Sequence, residues 1–119
     1  MGKRSRRRAK GGPEAAATTT VYTGPEGDVL TLRDELSEGT LRGVRDLDAR
    51  PAASAEDRSQ RRAEYLFERL VVRWEIAGLP LEGQKELLGR YRLASSKERQ
   101  QVRRTLAEHL AQRHPDVRI

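Results

Sequence analysis

Hydrophobic residues follow two different spacings along this chain, first that of strands and then that of helices. In the first segment, strand-forming residues including Val21 and Tyr22 precede the turn sequence Gly-Pro-Glu-Gly, and a second extended stretch follows it. This pattern predicts a β-hairpin within residues 19–33. Because an isolated hairpin is marginal in water, we expect the face carrying Leu30 and Leu32 to pack on helices.

From residue 37 onward, apolar residues recur every three or four positions, which predicts amphipathic helices. Four helices are expected, over residues 38–48, 55–77, 81–93 and 96–113. Ser37, Ser54 and Ser95 suit their N-caps, and Gly78 with Pro80 marks the end of the longest helix. The buried stripe of that helix is predicted to contain Ala63, Leu66, Phe67, Leu70, Trp74 and Ala77.

These elements predict a mainly α protein, a small helical domain of about four helices with an N-terminal β-hairpin. The domain is expected to span residues 19–119 and to follow a disordered basic arm over residues 1–18. Apolar residues make up 35% of the chain, which is below the share of about 45–50% usual in globular proteins. A core this thin favours completion by a partner or by self-association. The apolar positions Phe67, Trp74 and Tyr91 are expected in that core.

The net charge of the chain lies entirely in its first twelve residues. The formal charge is +6, and the remaining 107 residues hold 18 basic and 18 acidic side chains. The arm is therefore the candidate for binding nucleic acid or another polyanion, in a salt-dependent and largely sequence-independent way. A contact with an acidic protein surface and the absence of any dedicated partner remain alternatives. The polyanion-binding candidates are Lys3, Arg4, Arg6, Arg7, Arg8 and Lys10.

Candidate catalytic and metal-binding chemistry is sparse in this sequence. The chain has no cysteine, and its two histidines, His109 and His114, are five residues apart, which does not suit a metal pair on one helical face. We expect both histidines to be exposed, and we predict no enzyme activity, no cofactor and no metal site. No apolar run has the length of a membrane span, so a cytoplasmic location without membrane contact is expected.

Three segments together resemble the tail assembly chaperones of long-tailed actinobacteriophages. They are residues 29–36 (VLTLRDEL), residues 71–80 (VVRWEIAGLP) and residues 87–91 (LLGRY). Such chaperones have an extended T-L-R-D segment before a helix, then a helix with a tryptophan before a turn, then a short helix with a leucine and a tyrosine. The resemblance covers about residues 20–93.

This resemblance implies a non-enzymatic assembly factor in the cytoplasm of the bacterial host, which coats a tape measure protein and recruits tail-tube subunits. A groove that binds helical client segments would suit this task, and we predict that partner-binding residues at the groove are Leu87, Leu88, Leu106 and Leu110. The basic arm and the charged last helix depart from the family. They favour, as the alternative, a nucleic-acid-binding or virion structural or connector protein that acts through the arm.

A sequence-specific DNA-binding role is a further alternative. The last two helices and the connection at Leu93-Ala94-Ser95 fit a helix-turn-helix, in which the second helix would enter the major groove. A solvated helix face gives the same pattern. The candidate reading residues are Lys97, Arg99, Gln100, Gln101, Arg103 and Arg104.

Overall fold

The computed structural model describes residues 18–119, which form four helices and one four-stranded antiparallel sheet. The elements in chain order are β1 (Thr19–Thr23), β2 (Val29–Arg33), α1 (Glu38–Ala49), α2 (Ala55–Leu70), β3 (Val71–Ile76), β4 (Leu79–Glu82), α3 (Gln84–Arg92) and α4 (Ser96–Arg113). The strands lie side by side in the order β1-β2-β3-β4. The predicted arm lies outside the described residues, apart from Thr18.

The prediction of a mainly α protein is wrong, because the chain forms a small α/β domain. Helices hold 54% and strands 20% of the described residues. The error arises in the predicted helix over residues 55–77, of which only the part up to Leu70 is helical. Its predicted C-terminal end is β3, and β3 continues through a tight turn into β4.

A β-bulge explains why β3 was predicted as part of a helix. Leu32 of β2 lies opposite Val71 and Thr31 lies opposite Arg73, so Val72 is an extra residue on β3. This insertion lets Val71 and Trp74 both face the core, although an odd separation normally places two strand residues on opposite faces. The resulting spacing of three is also that of a helix. The β-branched side chains of this segment favour the strand.

The β3–β4 connection has the backbone geometry of a two-residue hairpin turn. Ala77 and Gly78 both have positive φ angles, of 53° and 79°, as the I′ turn requires. Gly78 therefore adopts a left-handed conformation as predicted, but it does so in a hairpin and not after a helix. Because β4 occupies Leu79–Glu82, α3 begins at Gln84, later than the predicted start near residue 81.

The predicted N-terminal hairpin is confirmed. β1 and β2 pair without interruption from Thr19 opposite Arg33 to Thr23 opposite Val29. The turn is closed by hydrogen bonds from the Gly24 N–H to the Asp28 carbonyl and from the Gly27 N–H to the Gly24 carbonyl. Gly27 has φ of +87°, a conformation that favours glycine where this loop meets β2.

The predicted helix caps are also confirmed. The Ser37, Ser54 and Ser95 side chains each accept a hydrogen bond from the backbone N–H three residues later. At Ser95 the cap is reciprocal, because the Glu98 carboxylate accepts from the Ser95 N–H. These bonds satisfy N–H groups that lack a partner inside the helix, and so they fix where the helices start.

The core lies between one face of the sheet and the helices. Leu30, Leu32 and Trp74 point into it, whereas Val21 and Thr31, on the opposite face, are exposed or half-buried. Phe67 packs edge-on against Trp74 at 5.8 Å between ring centroids and stacks on Tyr91 at 4.7 Å. The predicted core positions of these three aromatic residues are confirmed. Between residues 18 and 119, no helix has the length and apolar character needed to cross a membrane.

Candidate functional site

A cleft of about 780 Å³ opens where three separate parts of the chain meet. One wall is the β2–α1 connection, the second is the junction of α2 with β3, and the third is the β4–α3 connection. The first described residue, Thr18, also lines the cleft. Thr18, the last residue of the predicted arm, is thus part of the cleft lining.

The cleft has an apolar floor and a charged rim of both signs. Val71 and Leu87, which belong to the buried core, form part of the floor, and Leu36 and Val72 complete it as half-buried side chains. The charged side chains that line the cleft are Arg33, Glu35, Glu68 and Arg69. A surface of this kind can bury apolar side chains of a ligand while its rim pairs with charges of either sign.

Local hydrogen bonding positions the walls of the cleft. The Gln84 side-chain amide donates to the Glu68 carbonyl at 3.1 Å and ties the start of α3 to the end of α2. Gly83 before α3 has φ of +97°, a conformation that favours glycine. Arg69 forms an ion pair with Glu68 at 3.2 Å and lies over the Tyr65 ring at 4.5 Å from its centroid. The bulge at Val72 adds the extra residue to the floor.

Asp34, directly beside the cleft wall, is a buried carboxylate with several partners. Thr20 Oγ1 donates to its Oδ1 at 2.5 Å, and Arg113 Nη2 lies 3.4 Å from its Oδ2. Hydrogen bonding from Thr20, and then from Thr18, holds the pKa of Asp34 below its usual range in spite of burial. The carboxylate thus stays ionised inside the protein and connects β1 to the end of α4.

His109 on α4 completes this buried cluster. Its Nε2 lies 2.7 Å from the Arg33 carbonyl, which can only accept, so Nε2 carries a proton. Its Nδ1 lies 2.8 Å from the Tyr22 hydroxyl, and the two rings meet edge to face at 5.6 Å. Burial, followed by the charge of Asp34, raises the pKa of Tyr22. His114 adds a bond from its Nε2 to the Asp34 carbonyl at 3.0 Å.

The prediction that both histidines are exposed is wrong, because His109 is 1% exposed and His114 is half-buried. Two sequence signals pointed to the buried cluster. Asp34 follows Leu30 and Leu32 at the same two-residue spacing, so all three side chains point toward the core. His109 lies seven residues after the buried Val102 and therefore on the same face of α4.

This cluster supports structure better than acid–base chemistry. Both ring nitrogens of His109 already have partners within the protein, and the ring has almost no contact with solvent, so a substrate could not reach it. Within residues 18–119 no three His, Cys, Asp or Glu side chains are grouped as metal ligands. The cluster holds α4 against the first hairpin and thereby supports the cleft wall at Arg33.

The four leucines predicted to bind a partner do not share one open groove. Leu87 is 3% exposed but lines the cleft, and Leu88 is half-buried against the core. Leu106 and Leu110 are fully buried in the core, so binding through them would require α4 to move. Partner binding by this set stays a prediction. All six predicted polyanion-binding residues of the arm lie outside the described part of the chain.

The candidate DNA-reading residues of α4 are partly engaged within the fold. Arg99 donates to the carbonyls of Arg92 and Ala94, where it closes the end of α3, and Arg103 donates to Ser59 Oγ at 2.6 Å. Lys97 forms an ion pair with Glu26 at 3.1 Å. These contacts explain part of the basic pattern of α4 by structure alone.

Comparison with protein-family models, with curated proteins and with solved structures gives no match to this chain.

Proposed function

We propose that this chain is a non-enzymatic assembly factor that binds a segment of a protein client in the cleft. The observation that carries the proposal is a convergence of sequence segments. Arg33 and Leu36 belong to the first segment that resembles the tail assembly chaperones, Val72 belongs to the second, and Leu87 belongs to the third. Segments that are separate in the sequence thus line one cleft. The clients that the resemblance favours are a tape measure protein and tail-tube subunits.

The chemistry of the cleft favours a peptide ligand over a phosphate-bearing ligand. Its rim carries two arginines and two glutamates, so it has no excess of positive charge to neutralise phosphates. Its apolar floor suits the apolar face of an amphipathic helix, whose residues at i, i+3, i+4 and i+7 would enter it. Client segments with charges beside that apolar face would pair with the rim. We place this activity in the cytoplasm of the bacterial host.

The arm supports a second function, binding of a polyanion. Residues 18–119 carry 18 basic and 17 acidic side chains, so the folded domain is nearly neutral and the excess positive charge belongs to the arm. An arm that binds nucleic acid would make the chain a nucleic-acid-binding or virion structural or connector protein. Its affinity would fall steeply with salt, because each phosphate contact releases counterions.

Co-purification from phage-infected host cells, with and without nuclease, distinguishes the two functions. Recovery of the tape measure protein or the tube subunit after nuclease treatment would support the assembly factor. Recovery of nucleic acid alone, lost when residues 1–12 are deleted, would support the arm and contradict the client proposal.

A pair of matched variants tests whether the cleft is the client site. Val72→Glu places a charge on the cleft floor at a half-buried residue outside the buried core. Leu93→Glu makes the same kind of change at a leucine that is 85% exposed and does not line the cleft. We expect Val72→Glu to lower client recovery at least tenfold and Leu93→Glu to leave it unchanged. Equal recovery with both variants would exclude the cleft.

A further inference from the structure

The two outer strands of the sheet differ in how they are protected against pairing with another chain. β4 is only four residues long, and Pro80 removes a backbone donor from it. β1 has the sequence TTVYT, with no charge, proline or glycine, and it pairs with β2 without a bulge. Val21 at its centre is 58% exposed. Among residues 18–119 nothing pairs with the outer edge of β1.

The hydrogen-bond pattern of the first hairpin shows which backbone groups of β1 face that edge. The Thr18 carbonyl accepts a hydrogen bond from the Asp34 N–H, and the Gly24 N–H donates to the Asp28 carbonyl. Both residues therefore bond toward β2. Bonding alternates along an antiparallel strand, so the even-numbered residues of β1 face β2. The N–H and C=O groups of Thr19, Val21 and Thr23 therefore point outward.

We propose that two copies of this chain pair through β1, antiparallel and centred on Val21. In this register Val21 lies opposite Val21 of the second copy, and Thr19 lies opposite Thr23. All the outward groups then find partners, because three N–H and three C=O groups on each copy give six hydrogen bonds. The two sheets become one continuous eight-stranded sheet about a twofold axis.

The side chains of β1 fit this self-pairing. The outer face would carry a Val–Val pair flanked by two Thr–Thr pairs, which are favourable neighbours across antiparallel strands. On the core face, Thr20 would lie opposite Tyr22. No charged residue lies within β1, so the twofold axis brings no like charges together.

The pairing has a consequence for the N-terminal arms. Thr19 of one copy lies opposite Thr23 of the other, so the arms leave from opposite ends of the paired strands. Four residues of antiparallel strand separate their starting points by about 14 Å. The dimer would present two basic arms and two clefts on one rigid body, which favours simultaneous binding to two sites on a long polymer.

The test measures the mass of the full-length chain in solution by light scattering after size exclusion, over a range of concentrations and at low salt. The chain has a mass of 13.5 kDa, so a dimer has a mass of about 27 kDa. We expect a dimer for the natural chain and a monomer for Val21→Lys and for Val21→Glu, because each places like charges opposite one another. Mixing the two variants in equal amounts should restore the dimer, because opposite charges then face each other.

Thr31→Lys is the matched control, since Thr31 lies on the same face of the sheet but on the inner strand β2. It should leave the dimer intact. Circular dichroism of each variant shows whether the monomer is folded. A monomeric natural chain, a dimeric Val21→Lys variant, or a mixture that stays monomeric would each overturn the proposed pairing. Restoration of the dimer only on mixing identifies position 21 as the centre of the interface.

Discussion

Replacing Asp34 should reveal how strongly the buried polar cluster stabilises the fold. Asp34→Ala removes the acceptor for Thr20 and the partner of Arg113. A hydrogen bond to a charged group contributes about 1.5–3 kcal/mol, and an ion pair with a half-exposed arginine adds less than about 1 kcal/mol. We therefore expect the free energy of unfolding at pH 7 to fall by about 3 kcal/mol. Asp34→Asn, which can still accept from Thr20, should lose about half of that.

The same residue makes stability depend on pH. The pKa of Asp34 in the folded protein lies below its unfolded value of about 3.9. Its contribution is therefore fully present above pH 5 and is lost as the pH falls through the folded-state pKa. Glu98, whose pKa is lowered by the Ser95 backbone and then by Arg90, contributes with the same sign. Asp34→Asn should weaken the loss of stability in acid without abolishing it.

Urea unfolding followed by circular dichroism between pH 3 and 7 measures both effects. A double-mutant cycle with Thr20→Val isolates the shared hydrogen bond, for which we expect a coupling of about 2 kcal/mol. An Asp34→Asn variant with the stability and the acid sensitivity of the natural chain would refute the role assigned to this carboxylate.

Three further predictions concern the core, a helix contact and a turn. Leu106→Asp should lower the free energy of unfolding in urea by more than about 4 kcal/mol, because the side chain is fully buried and its charge would lie in the core; a variant as stable as the natural chain would contradict the assigned core. Gly39→Ala should raise the free energy of unfolding in urea by up to about 1 kcal/mol. Gly43→Ala should give no gain, because its Cβ would overlap the Tyr65 hydroxyl. Equal gains in the two variants would exclude that contact. Ala77→Asn should raise the midpoint of thermal unfolding by relieving about 1 kcal/mol of strain at positive φ, and an unchanged midpoint would argue against the I′ turn.

Local signals predicted much of this fold. The first hairpin, the three serine caps and the start of α4 follow from short sequence patterns whose physical cause lies within a few residues. The end of α2 does not. A bulge that depends on pairing with β2 placed Val71 and Trp74 on one side of the strand, and the apolar spacing of β3, taken without its β-branched residues, does not differ from that of a helix. The pairing of β3 with β2 thus determined the structure of this segment, which the local spacing of apolar residues did not.

The candidate site was harder to predict for the same reason. The cleft is formed by segments that are far apart in the sequence, so of the four predicted partner-binding leucines only Leu87 lines it. Leu106 and Leu110 gave the pattern of an apolar face, but a pattern does not distinguish a face packed in the core from one awaiting a partner. The burial of His109 was not predicted, because both histidines were expected to be exposed to solvent.

The central claim, that a client segment occupies the cleft, is tested most directly by hydrogen exchange of the full-length chain with and without a tape measure protein, the client that we propose. We predict slower exchange in residues 33–37, 69–72 and 83–87, and no change around Leu93 at the far end of α3. Protection that is absent from these three segments, or that lies only in residues 1–17, would contradict the claim and would place the interaction on another surface or on the arm.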